Sequence, residues 1–189
     1  MRRTILGAAA LLLCACGHQT QSATTSAAGG CEHSATHQVL WTDTEAPDII
    51  TVRADGPSCA QAVVSFVARN ARGDPLWAFI NTYHDMAIGG VAIGEAPAVS
   101  GEQMDHFLAG WATATTQVSG QLPEWREGAD AVGSNGDLTY TTTHDRESYE
   151  AIRQRNLRMI CFASSVAATQ CLVIDPSSNA PAMIVAYGS

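Results

Sequence analysis

After about residue 31 the chain is built largely from short runs of apolar, β-branched and aromatic residues bounded by polar turn-formers, the pattern expected of strands. Residues 38–43 and 48–54 form two such runs, separated by Glu45, Ala46 and Pro47, and predict two early strands. AQAVVSFVAR and PLWAFINTY flank NARGD, whose Asn, Gly and Asp favour a turn, so 62–83 is predicted to be a β-hairpin. IGGVAIGEAPA carries Gly89, Gly90, Gly94 and Pro97, too many breakers for a helix, and is read as a strand fragment or loop. Ser100 with Gln103 three residues later has the form of a capping box. Met104, Phe107, Leu108, Trp111, Thr115 and Val118 then share one helical face, which predicts a helix over 101–118.

Gly120 and Pro123 end that pattern, and PEWREGADAVGSNGD reads as a long surface loop. DLTYTTT suggests a strand. Asp145 suits the cap of a second helix reaching about Arg155, with Glu147 and Glu150 near its amino end and Arg153 and Arg155 near its carboxyl end. LRMICFAS, QCLVID and AMIVAYG are consecutive strand-like runs that predict an antiparallel meander with cover on both faces. The fold class expected is α+β: an antiparallel sheet with one long amphipathic helix packed across it.

The amino terminus follows a different pattern. Arg2 and Arg3 precede a short apolar run, Ile5 to Leu13, in the outline of a signal peptide. That run falls short of the roughly 20 residues a membrane-spanning helix needs. LLLCACG, with Leu13, Ala15 and Cys16, resembles the lipobox of bacterial lipoproteins; Cys14 departs from the small or hydroxyl residue usual there. The resemblance covers about the first sixteen residues and implies cleavage before Cys16 and lipid on its thiol, which holds a chain well when several acyl groups share one residue. Gly17, where Asp marks inner-membrane retention in enterobacterial lipoproteins, resembles the outer-membrane class. Residues 1–15 are thus read as signal peptide, 16–30 as a lipidated tether without bulky apolar residues, and 31–189 as one globular domain. The expected location is the cell envelope, with the domain facing the periplasm or the exterior.

Charge narrows the partners. The chain has no Lys, ten Arg and eighteen acids, a formal net charge of −8. That balance disfavours nucleic-acid phosphates and anionic lipid head groups and steers basic partners. Four cysteines lie in the domain, Cys31, Cys59, Cys161 and Cys171, and in an oxidising compartment an even number reads as disulfides with three possible connectivities. The favoured pairing is Cys161 with Cys171, across the small-residue turn between two apolar runs, and Cys31 with Cys59. A four-cysteine zinc site is not expected, because close C-x-x-C pairs are missing. No cofactor is called for.

The chemistry-bearing residues give two readings. His84-Asp85 and His144-Asp145 each follow a predicted strand, and convergence of the pairs would build a metal or acid/base site, the basis for a hydrolase reading. Against it, Asp145 has a full explanation as a helix cap and His84 as a strand end. No G-x-S-x-G elbow or Walker sequence is present. The acids Glu124, Glu127, Asp130 and Asp137 read as a solvated face rather than a glycosidase pair. Trp77, Phe79, Phe107 and Trp111 belong with the core. Trp125, set between acids after Pro123, is either an exposed anchor or a ring folded over the core edge. The first reading is therefore a noncatalytic, lipid-anchored binding or accessory protein, an inhibitor or assembly factor among the options. It would use Glu124, Trp125, Glu127 and Asp130 to hold an envelope protein or polymer.

Overall fold

The computed structural model describes residues 30–128 and 132–188. Nine strands carry most of it: β1 (Cys31–Val39), β2 (Asp48–Gly56), β3 (Val63–Arg69), β4 (Pro75–Thr82), β5 (Thr115–Val118), β6 (Thr139–Thr141), β7 (Arg158–Ser165), β8 (Ala168–Asp175) and β9 (Ala180–Gly188). Two helices join them, α1 (Gly101–Ala112) and α2 (Arg146–Gln154). The strands form two antiparallel sheets rather than one. The first is ordered β1-β2-β3-β4 and the second β5-β7-β8-β9-β6.

Alternation in the sequence decides how the layers stack. Along β2 and β3, Ile50, Val52, Ala54, Val64, Phe66 and Ala68 are all fully buried, while Arg53, Asp55 and Arg69 point outward. Ile160, Phe162 and Leu172 of the second sheet join that core, and Phe66 stacks on Phe162 with ring centroids 4.4 Å apart. The same inner face is extended by α1, which lies against β1 and β2 and contributes Met104, Leu108 and Trp111. On the other face of the second sheet, Met159, Cys161, Cys171, Val173 and Val185 meet Tyr149 and Ile152 of α2, with Leu122 and Val132. The meander therefore has the two-sided cover its apolar runs require, from the first sheet on one side and from α2 on the other.

Several expectations need correction. The first strand is Cys31–Val39, not 38–43, and its apolar signal is weak because only one face of an edge strand is covered. The helix expected over 101–118 stops at Ala112. Its capping box forms as expected, Gln103 N donating to Ser100 Oγ at 3.2 Å and Ser100 N to Gln103 Oε1 at 2.9 Å. Past Thr113 the β-branched Thr115, Thr116 and Val118 extend and pair with Arg158–Cys161 of β7. The hairpin over 62–83 and the helix capped by Asp145 are found where expected, the latter with Ser148 N donating to Asp145 Oδ1 at 2.8 Å.

Both disulfides connect as favoured. Cys31 is bonded to Cys59 where the chain enters β1, and Cys161 to its directly opposite partner Cys171 on β8. Two such bonds point to an oxidising compartment. Among the described residues no helix is long and apolar enough to cross a membrane. Cys16 and the lipobox lie outside the described residues.

Candidate functional site: a cleft walled by three hairpin loops

Three loops meet at the end of the fold that β1 reaches. The β1–β2 loop supplies Thr42, Asp43 and Ala46, the β3–β4 turn Asn70, Ala71 and Arg72, and the β8–β9 turn Asn179; Leu76 and Ile174 complete the lining. Together they enclose about 350 Å³, within the usual range for a small-ligand or side-chain site. The chain enters the fold at the other end of β1, nine residues away, or roughly 30 Å at about 3.3 Å per residue.

Each loop is fixed by its own polar residue. Asp48 is fully buried, and its carboxylate accepts from Trp41 N at 3.1 Å, Thr42 N at 2.7 Å and Thr42 Oγ1 at 2.7 Å. A buried carboxylate is tolerated only with its lone pairs satisfied, so Asp48 holds the β1–β2 loop in one geometry. In the β3–β4 turn, Asn70 Oδ1 accepts from Arg72 N and Asp74 N, and Gly73 takes a φ of 87° that a side chain would disfavour. In the β8–β9 turn, Asp175 accepts from Ser177 N, Ser177 Oγ and Ser178 Oγ, and Asn179 adopts a φ of 53°. Arg158 Nη1 ties the second sheet to the first loop through Asp43 O at 3.1 Å.

These bonds depress the loop carboxyls. Backbone N–H groups of Glu45 and Thr44 hold Asp43 below its ordinary 3.8. Asn70 and Arg72 do the same for Asp74, and the Ser177 hydroxyl and N–H, with Ser178, do so most strongly for Asp175. A depressed carboxyl contributes stability that is complete above its unfolded value and lost as pH falls through the folded one. The loops are therefore expected to keep one conformation from neutral pH to about pH 4 and to loosen only below it. Amide chemical shifts of Thr44, Arg72 and Ser177 followed from pH 7 to 2 check this; large movement between pH 7 and 5 would contradict it.

The residues singled out by sequence lie elsewhere. His84 is 9% exposed in a single π-helical turn, His84–Ile88, its Nε2 2.7 Å from Val91 O and its Nδ1 3.5 Å from Asp85 Oδ1. His144 Nε2 lies 3.1 Å from Met183 O. Each imidazole thus bonds a backbone carbonyl, Asp145 caps α2, and among the described residues these four form no shared cluster of ligand atoms. Trp125 is half-buried against the second core with its ring edge-on to Tyr149 at 5.9 Å, and Glu150 Oε1 accepts from its backbone N–H at 2.7 Å. Glu124 pairs with Arg153 at 3.1 Å, Glu127 is exposed, and Asp130 lies outside the described residues. Burial raises the Tyr149 phenol, whose hydroxyl donates to Pro123 O at 2.7 Å. This loop is thus anchored to α2 along its first part.

A second hollow, about 370 Å³, lies between α1 and β7, lined by Phe107, Trp111 and Phe162 among others; the Trp111 indole already donates to Ala163 O there. The three-loop cleft differs in combining an apolar floor, Leu76 and Ile174, with side chains of both charge signs, Asp43 and Arg72. In the sequence its parts read only as turns: Asn70 to Asp74 and Asp175 to Asn179 are turn-forming residues, and nothing local shows that separate turns meet. Compared with known proteins, the chain matches no family model, no curated protein and no solved structure.

Proposed function

We propose that this protein is a lipid-anchored, noncatalytic binding module of the cell envelope that receives a peptide segment of a basic protein partner in the three-loop cleft. The observation that supports this reading is the convergence of three independently fixed loops on one cleft at the end remote from Cys31. A site whose loops are already ordered loses little conformational entropy on binding. Asn179 and the lone pairs of Thr42 Oγ1 suit peptide amides, Leu76 and Ile174 form an apolar floor, and the excess of eighteen acids over ten Arg attracts a basic partner. With lipid on Cys16, residues 17–30 would hold the domain near a bilayer while the cleft end faces away.

The test is affinity capture from native envelope extract at moderate salt with three forms of the chain. Ala71→Trp, which places an indole in the cleft from an exposed turn position, should reduce capture at least tenfold. A Trp125→Ala, Glu127→Ala variant should leave it unchanged, and Cys16→Ser should release the protein from membranes without altering capture. Unchanged capture by Ala71→Trp would sink the cleft assignment, and loss with the Trp125, Glu127 variant would move the site to that loop.

A further inference from the structure

The end of the fold where the chain enters holds a second constellation. Cys31 opens β1, and Cys59 begins the short turn Cys59–Gln61; both are buried, at 2% and 8% exposure. His33 follows Cys31 by two residues on the same face of β1. A ring nitrogen of His33 and the two sulfurs lie within 4.8 Å of one another. The imidazole is held in place, because Asp105 Oδ1 on α1 lies 2.6 Å from Nδ1. Gly101 allows the first turn of α1 to close on the ring, since a Cβ there would come within 3.0 Å of Cε1. In the tautomer in which Nδ1–H donates to that carboxylate, Nε2 carries the lone pair.

A disulfide needs no imidazole beside it, and Asp105 is too exposed for its bond to His33 to add much stability. A carboxylate that orients a histidine set beside two sulfurs is, however, the arrangement that supports a thiolate metal centre. We propose that reduction of the Cys31–Cys59 disulfide turns this corner into a metal site, in which the two thiolates and His33 bind a thiophilic d10 ion such as Zn2+. A dithiol reductant supplies two electrons and two protons by exchange and leaves as its own disulfide, while Cys31 and Cys59 become thiols. The ion then displaces both thiol protons, so the centre of one Zn2+ and two thiolates is neutral, with water in the fourth position. Tetrahedral bonds of about 2.3 Å to sulfur and 2.0 Å to nitrogen set the sulfurs roughly 3.7 Å apart, a separation reached by side-chain rotation and a small shift of the Cys59 turn. This is a two-cysteine, one-histidine centre, distinct from the four-cysteine site for which the spacing is wrong.

The experiment uses the full chain in detergent, reduced with a phosphine and titrated with Zn2+ against a chromophoric chelator. One equivalent should bind, Cys59→Ser should abolish binding, and Asp105→Asn should weaken it about 10- to 100-fold while leaving the urea midpoint of the oxidised protein unchanged. Absence of stoichiometric Zn2+ would overturn the proposal, as would an ion retained by Cys59→Ser or an affinity indifferent to Asp105→Asn. Where reduction alone unfolds the chain, recovery of the near-ultraviolet circular dichroism on adding Zn2+ supports the site, and continued unfolding with Zn2+ present overturns it.

Discussion

Replacing Phe66 by Ala is expected to lower the stability of the fold by about 3–5 kcal/mol, the largest effect of any single truncation considered. Phe66 is fully buried on β3, stacks on Phe162 of the facing sheet at 4.4 Å and lies 5.6 Å from the Trp111 ring of α1. Its ring thus touches all three elements that enclose the main core. Truncation removes the transfer energy of a benzyl group and leaves a void that relaxation fills only where the neighbours can move. Here those neighbours are held from two sides, since Phe79 also packs on Phe162 and on Trp111. Urea unfolding of the oxidised protein measures the change as a shift in midpoint at constant slope. Ile80→Ala, at a position 67% exposed on the outer face of β4, serves as the control and should stay within about 0.5 kcal/mol. A Phe66→Ala shift as small as the control would mean that the two sheets do not share one core.

Asp48→Ala should cost roughly 2–4 kcal/mol and should impair binding at the cleft as well. The carboxylate is fully buried and serves two backbone N–H groups and one hydroxyl of the β1–β2 loop. Alanine leaves the buried Trp41 N–H without an acceptor and frees the two Thr42 donors on the exposed side of the loop, which must then rearrange. Asp48→Asn keeps one good acceptor oxygen and should fall between wild type and Asp48→Ala. The decisive comparison is partner capture measured where both proteins are fully folded. Lost capture with a modest stability change identifies the loop geometry as the binding determinant; capture that merely tracks the folded fraction would assign Asp48 to stability alone.

Strand and helix identity were legible wherever the period of apolar residues was strong. The hairpin around Asn70 to Asp74, the meander of the last third and the capped helix after Asp145 all follow from local patterning. The end of α1 is not legible in the sequence because Thr115 and Val118 continue its apolar face, while the pairing of Thr115–Val118 with β7, a tertiary contact, decides their conformation. Division into two sheets was hidden for the same reason, since alternation shows which face of a strand is buried and not what buries it. The cleft was harder still: its lining comes from turns that are near neighbours only after both sheets have packed. Trp125 could be placed only once Tyr149 and Glu150 were known to stand beneath it.

The Cys31–Cys59 bond has a mechanical consequence. Tension arriving through residue 30 and resisted at the carboxyl end passes from Cys31 directly to Cys59 through the sulfurs, so the intervening loop, which contains β1 and β2, lies outside the load path. The disulfide spans 28 positions, so roughly 95 Å of contour at about 3.4 Å per residue is withheld from extension, and the walls supplied by Thr42 and Asp43 are sheltered from the pull. Reduction would return that length to the load-bearing chain and let tension peel β1 from its sheet.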